Sequence, residues 1–156
     1  MTRQIRTALC TAFVVGVTAG GAEAASQGTR EATLLHAIND VRAAHGLRPL
    51  QPDLKLVRAA RANSVRMLRT NLFTHGAFRA RIATYGARGP VFGENMAWGV
   101  GSRGRAGTIV RAWLASPGHR SNLLRPGFRR VGVGASVGRF AGNRRAVVVT
   151  ATFAGR

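Results

Sequence analysis

The chain has 156 residues, 46% hydrophobic and 19% charged, which suits one compact domain and leaves little room for a second. Its 24 Lys+Arg against 5 Asp+Glu give a formal net charge of +19, and Lys55 is the only base that is not an arginine. So few carboxylates exclude chemistry that needs many of them, and an abundance of Ala, Gly and Arg is also what GC-rich codons produce, so charge alone names no partner.

Residues 1–24 have the order of a secretory signal peptide. Arg3 and Arg6 form a positive start, residues 8–17 an apolar run too short to span a bilayer, and Ala22-Glu23-Ala24 a small-residue cleavage site. Cleavage after Ala24 would remove two bases and one acid, so the net charge falls from +19 to +18, and would also remove Cys10, the only cysteine. The remaining chain then has no disulfide, no thiolate nucleophile and no Cys-based zinc site. With no later run of 18 apolar residues, it is expected to be soluble, secreted or periplasmic, and monomeric.

Residues 25–30 read as a short flexible leader and residues 31–156 as one domain. Over residues 31–45, Leu34, Ile38 and Val41 recur at helical spacing, with Gly46 as the stop. Pro49 and Pro52 forbid helix in the connection, and Asp53 offers a carboxylate to cap the next one. That helix runs to about Asn71, with Leu54, Val57, Ala60, Ser64, Val65 and Leu68 expected inside. Arg58, Arg61, Arg66 and Arg69 are expected in water.

Periodicity is lost over residues 72–107 except for a short helix near 79–83, and irregular, functional structure is expected there. A helix follows over 108–115, carrying Ile109, Val110, Trp113 and Leu114. Ser116 and Pro117 then provide an N-cap and a first-turn proline for a short helix holding His119. Residues 131–137 and 146–153 read as two strands, with Gly142-Asn143 in the turn.

Beyond the leader only Glu31, Asp40, Asp53 and Glu94 are acidic. Glu31 and Asp53 suit helix N-termini, and Asp40 can pair with an arginine on its helix. Glu94 has no such role, and in Phe92-Gly93-Glu94-Asn95-Met96 it must be exposed at a loop tip or buried with partners. His36 and His45 suit a helix surface, whereas His75 and His119 lie in separate loop segments. Two imidazoles and a carboxylate could form a three-ligand metal site with an open position, with Glu94 as ligand or as acceptor of a proton from metal-bound water. Alternatively each of the three merely ties its loop to a neighbour. Asn95, Arg120 and Asn122 are expected to brace loops, and Trp98 and Trp113 to lie in the core.

The series Phe73-Thr74-His75, Gly93-Glu94-Asn95-Met96, Trp113 to Gly118-His119-Arg120-Ser121-Asn122, and Gly132-Val133-Gly134 resembles the CAP superfamily, also called the SCP or cysteine-rich secretory protein domain. It is most similar to the small exported bacterial branch, over residues 34–153. The resemblance implies an α-β-α sandwich, a central antiparallel sheet flanked by helices, with a cleft on one side. Eukaryotic members of the family line that cleft with two His and two acidic residues able to bind a divalent metal such as zinc. Here the resemblance matches His75 to the first His, Glu94 to the Glu of the Gly-Glu-Asn motif and His119 to the His of the bacterial Gly-His-Arg-x-Asn motif, and no carboxylate follows Glu94 to supply the usual fourth member.

The resemblance implies a binding module of the cell envelope, for lipid, anionic polymer or protein, and leaves a metal-dependent hydrolase of peptide, ester or glycan bonds as the alternative. No nucleic-acid partner is expected, because export and a 6% aromatic content without stacking pattern argue against one.

Overall fold

The computed structural model describes residues 19–155. Most of the expected signal peptide, residues 1–18, lies outside that range. Five helices and four strands follow in the order α1 (Ala19–Ala44), β1 (Gln51–Pro52), α2 (Leu54–Thr70), α3 (Phe78–Thr84), β2 (Phe92–Gly99), α4 (Ala106–Ala115), α5 (Pro117–Leu123), β3 (Phe128–Phe140) and β4 (Asn143–Gly155). A single 3-10 turn, Gly101–Gly104, joins β2 to α4.

The sheet order is β1-β3-β4-β2, antiparallel throughout except that the two-residue β1 runs parallel to β3. Side chains of β3 and β4 alternate between the two faces. Val131, Val133 and Ala135, with Val149, Ala151 and Phe153, meet Leu34, Ile38, Ile109, Trp113 and Leu123 from α1, α4 and α5. The opposite face receives α2 and α3 through Leu56, Ala59 and Ile82 beside Ala154, and through Met67 beside Met96, Ala146 and Val148. The expected α-β-α sandwich is therefore present, with helices on both faces of a mainly antiparallel sheet.

Several local expectations change. Helix α1 is continuous through residues 25–30, so the expected leader is helical here. Glu31 consequently lies inside a helix, where it binds Arg61 through two oxygens (2.5 and 2.9 Å) and accepts the Ala135 amide at 3.2 Å, joining α1 to α2 and β3. Asp40 faces His36 at 3.6 Å instead of an arginine. The buried stripe of α2 is Leu56, Ala59, Ala60, Asn63, Ser64 and Met67, one step round from the expected face, while Leu54 and Val65 are exposed. The reason is that α2 crosses β3 over Gly132 and Gly134, and whichever side chains straddle that crossing go inside.

Asp53 caps α2 as expected, accepting the amides of Lys55 (2.9 Å) and Leu56 (3.2 Å), and it also accepts from Arg130 at 2.6 Å. Burial pushes its carboxyl up, but the Arg130 hydrogen bond, the two amides and the Arg130 charge together outweigh burial and hold it below the usual carboxylate range. The β3–β4 turn is at Ala141 (φ 47°) and Gly142 (φ 79°), with Asn143 already in β4. Two positive φ angles in a two-residue loop match the right-handed twist of long paired strands.

A buried arginine organises the other end of α1. Arg42 is fully buried and donates to the carbonyl oxygens of Arg48, Leu123, Arg125 and Phe128 at 2.7–3.3 Å. Burial first, and the charge of Arg129 second, lower its pKa; four carbonyl dipoles serve in place of water or a carboxylate. This pins the end of α5, and so the helix that carries His119, against α1.

Candidate functional site

Glu94 is the third residue of β2, the edge strand of the sheet, and it faces α3. Its side chain is only 2% exposed. Oε1 accepts from His75 Nδ1 at 2.8 Å, while Oε2 accepts from Arg81 Nη2 at 2.5 Å and from the Thr152 hydroxyl at 3.3 Å. Thr152 is the cross-strand partner of Glu94 on β4, so register alone brings that hydroxyl to the carboxylate. Arg81 also donates through Nη1 to the His75 carbonyl at 2.9 Å, fastening the loop that bears His75. His75 and Glu94 are thus in direct contact, but Arg81, which sequence reasoning left out, is the carboxylate's main counter-charge. Its only signal was its place on the short helix expected at 79–83.

The backbone of His119 is held from the other face of β2. A strand sends neighbouring residues to opposite faces, so Glu94 points to α3 and Asn95 points to α5. Asn95 Nδ2 donates to the His119 carbonyl at 2.9 Å, and Asn122 Nδ2 donates to Asn95 Oδ1 at 2.9 Å and to the Glu94 carbonyl at 3.3 Å. The His119 ring instead contacts Ser116 Oγ through Nδ1 at 3.0 Å. Gly93 permits this junction, since a Cβ there would lie 2.6 Å from Asn122 Oδ1 and 2.9 Å from the Phe128 ring. The Trp113 indole donates to the Met96 carbonyl at 2.9 Å, so two carbonyls of the edge strand are closed by side chains rather than by another strand. Asn95 and Asn122 brace as expected, whereas Arg120 is exposed on α5.

His119 and His75 are close enough to influence each other's charge. Burial first, and the positive charge of His75 second, hold the His119 imidazole below its ordinary value. Its unfolded form therefore binds a proton more readily, and its contribution to stability is lost as pH falls below about 6.5. We expect an NMR titration to place His119 below an ordinary imidazole and to move it upward in His75→Gln, where the like charge is gone. A midpoint at or above the ordinary value in the wild-type protein would contradict the burial described here.

The fit of a divalent cation follows from the donor set. Both oxygens of Glu94 are engaged, one of them by a guanidinium that carries the charge a metal would otherwise supply. Among the described residues, no three His, Cys, Asp or Glu side chains are grouped to hold an ion. Among the described residues the buried side-chain atom left without a partner is Arg81 Nε, a donor, whereas a cation requires acceptors. His75, Glu94 and His119 as arranged do not fit a divalent metal, and no chemistry is derived through one.

Other features lie away from this cluster. A groove of about 560 Å³ runs between α1, the 3-10 turn, α4 and the far end of the β3–β4 hairpin. Trp113 is buried as expected, but Trp98 is 39% exposed and is not a core residue. None of the described helices is long and apolar enough to cross a membrane.

Comparison with known proteins matches residues 35–153 to the profile of the cysteine-rich secretory protein family, CAP. YkwD of Bacillus subtilis (strain 168) is 36% identical over 109 residues, covering 67% of this chain and 41% of its own length. The membrane protein YlbC of the same organism is 32% identical over 113 residues, 69% of this chain and 32% of its own. This chain therefore spans less than half the length of those curated relatives. Among solved structures, an extracellular SCP-domain protein of Bacillus anthracis superposes with a TM-score of 0.73 at 23% identity, over 90% of this chain and 45% of that one. An outer surface protein of Borrelia burgdorferi gives 0.64 at 23% identity, over 79% of this chain and 90% of its own. These two share the sandwich described above. Matched over most of its length and carrying the same helix–sheet–helix layers, the chain belongs to the cysteine-rich secretory protein (CAP) family.

Proposed function

We propose that this chain is a binding module acting outside the cytoplasm, and that its ligand is an anionic amphiphile such as a long-chain fatty acid. The observation that carries this is the character of the groove: Leu34, Ile109, Val137, Val147 and Val149 line it, and Arg30, Arg105 and Arg145 are the charged residues around them. An apolar slot of this volume with a few convergent charged groups matches what small-molecule sites require. The acyl chain gains by leaving water, and a carboxylate head gains charge-assisted hydrogen bonds from guanidinium groups. No acidic side chain lines the groove to oppose it. Export rests on the order of charged, apolar and small residues in 1–24, and it accords with the extracellular description of the Bacillus anthracis neighbour.

Under this reading His75, Arg81 and Glu94 hold the fold together, and the hydrolase alternative has no observation in its favour. Titration with a fluorescent long-chain fatty acid is expected to saturate at one equivalent. The matching neutral alcohol should bind at least tenfold more weakly, and Arg105→Glu with Arg145→Glu should weaken the acid by a similar factor, since hydrogen bonds to charged groups are worth about 1.5–3 kcal/mol. Equal affinity for acid and alcohol, or no saturation, would remove the proposal. Zinc calorimetry on the same protein is expected to show no saturable heat; a heat lost in His75→Ala would reinstate the metal centre.

A further inference from the structure

We infer that the end of the sandwich around Trp98 docks onto the surface of an anionic lipid bilayer. This goes beyond the groove, because none of the apolar residues involved lines it. Phe73 and Trp98 both set their ring edges against Phe140, with centroids 6.5 and 5.4 Å apart. Phe140 is buried beneath them, while Leu72, Phe73 and Trp98 are 60%, 47% and 39% exposed. Two separate chain segments, the loop after α2 and the end of β2, therefore hold large apolar side chains out into water at one place, over the buried Phe140 beside the β3–β4 turn. The turn is fastened to that loop by the Ala141 amide donating to Asn71 Oδ1 at 2.8 Å. A supported cluster of this kind is unlike scattered surface hydrophobics and marks a binding surface.

The surrounding charge selects the occupant. Arg69 lies in the last turn of α2, three residues before Leu72, Arg139 precedes Phe140, and Arg103 shares a small hollow with Trp98 and Asn143. No Asp or Glu occurs in residues 54–93 or 95–156, so every segment of this end is neutral or basic. A protein partner is recognised by a pattern of both signs, whereas an anionic bilayer requires only positive charge of any arrangement around an apolar tip. Tryptophan is suited to that depth, with its ring in the acyl boundary and its N–H among the headgroups. The 3-10 turn Gly101–Gly104 borders both this end and the groove, so a docked molecule would hold its groove near a source of amphiphiles.

The protein carries its own reporter. Trp113 is 1% exposed, so any change in tryptophan emission on adding vesicles comes from Trp98. With vesicles of equimolar phosphatidylglycerol and phosphatidylcholine at low salt, emission should shift to the blue and be quenched by lipids brominated near the headgroup end of the acyl chain. Phosphatidylcholine alone should do neither. Leu72→Ser with Phe73→Ser should lower the partition coefficient at least tenfold while leaving Tm nearly unchanged and fatty-acid titration intact, so the two proposals fail separately. Binding to anionic vesicles with Trp98 emission unchanged would place the contact on another face, such as the arginine-lined side of α2, and overturn the inference. So would a shift seen only with an added envelope protein, or no vesicle binding.

Discussion

Gly132→Ala is expected to destabilise the protein by about 3 kcal/mol or more, among the largest effects of any single methyl in this fold. An added Cβ would lie 1.9 Å from the Leu56 carbonyl carbon and 2.1 Å from the Val57 nitrogen. These are main-chain atoms, so no rotamer change relieves the overlap. Relief requires α2 to withdraw from the sheet by roughly 1.5 Å, since carbon atoms pack at about 3.5–4.0 Å. That withdrawal would open the contacts of Leu56, Ala59 and Ala60, all fully buried, and would stretch the 3.0 Å bond from Ser64 Oγ to the Gly134 carbonyl. In thermal unfolding the expected fall in Tm is about 10 °C. Gly118→Ala is the control: nothing lies within 4 Å of its Cβ and it sits in α5, so stability should change by less than about 1 kcal/mol, upward. Equal Tm for Gly132→Ala and the wild type would show that α2 does not cross β3 as described.

Removal of Arg81 should cost a comparable amount for a different reason. In Arg81→Ala the Glu94 carboxylate stays 2% exposed but loses its 2.5 Å partner, leaving only the exposed His75 ring and the Thr152 hydroxyl. Breaking a buried pair from one side leaves an uncompensated charge, at about 3–5 kcal/mol. Replacing both members, Arg81→Met with Glu94→Gln, should restore much of that loss, because the desolvation cost of both charges disappears with them. Urea unfolding of the two single variants and the double variant measures the coupling. Additive losses, or an Arg81→Ala cost below about 1 kcal/mol, would show that the guanidinium is not the counter-charge that keeps Glu94 inside.

The role of Arg81 also bounds what the motif around Glu94 reveals. Read along the chain, Gly93, Glu94 and Asn95 form one unit, and nothing in the linear sequence ranks His75 above His119 as its partner. In the folded protein Glu94 joins His75 and Arg81 on one face of β2, while Asn95 joins Asn122 and the His119 backbone on the other. A three-ligand centre was a fair expectation from residue types, yet both oxygens of Glu94 are taken by His75, Arg81 and Thr152, and the His119 ring contacts Ser116 instead. The segment 72–107 lacked periodicity because β2 is buried by different elements on its two faces and its edge is closed by side chains.

Local chemistry was legible where it acts within one element. Asp53 as a cap, Pro117 at a helix start, the alternation of 131–137 and 146–153, and the helical spacing of Leu34, Ile38 and Val41 depend on neighbours a few residues away, and all recur in the structure. So did the family and its layered architecture, since motif order survives in the linear chain. What depended on contact between distant segments was not legible: which stripe of α2 turns inward, that Trp98 stands in water, that Arg42 is buried among carbonyls, and that Arg81 neutralises Glu94. Sequence by itself determined the main helices and the β3–β4 pair, through short-range backbone preferences and the periods 2 and 3.6, whereas β1, β2 and the helical course of residues 25–30 emerged only in the fold. Tertiary packing alone decided the partners of each charge, because burying an ion is favourable only where the whole fold supplies its counter-charge.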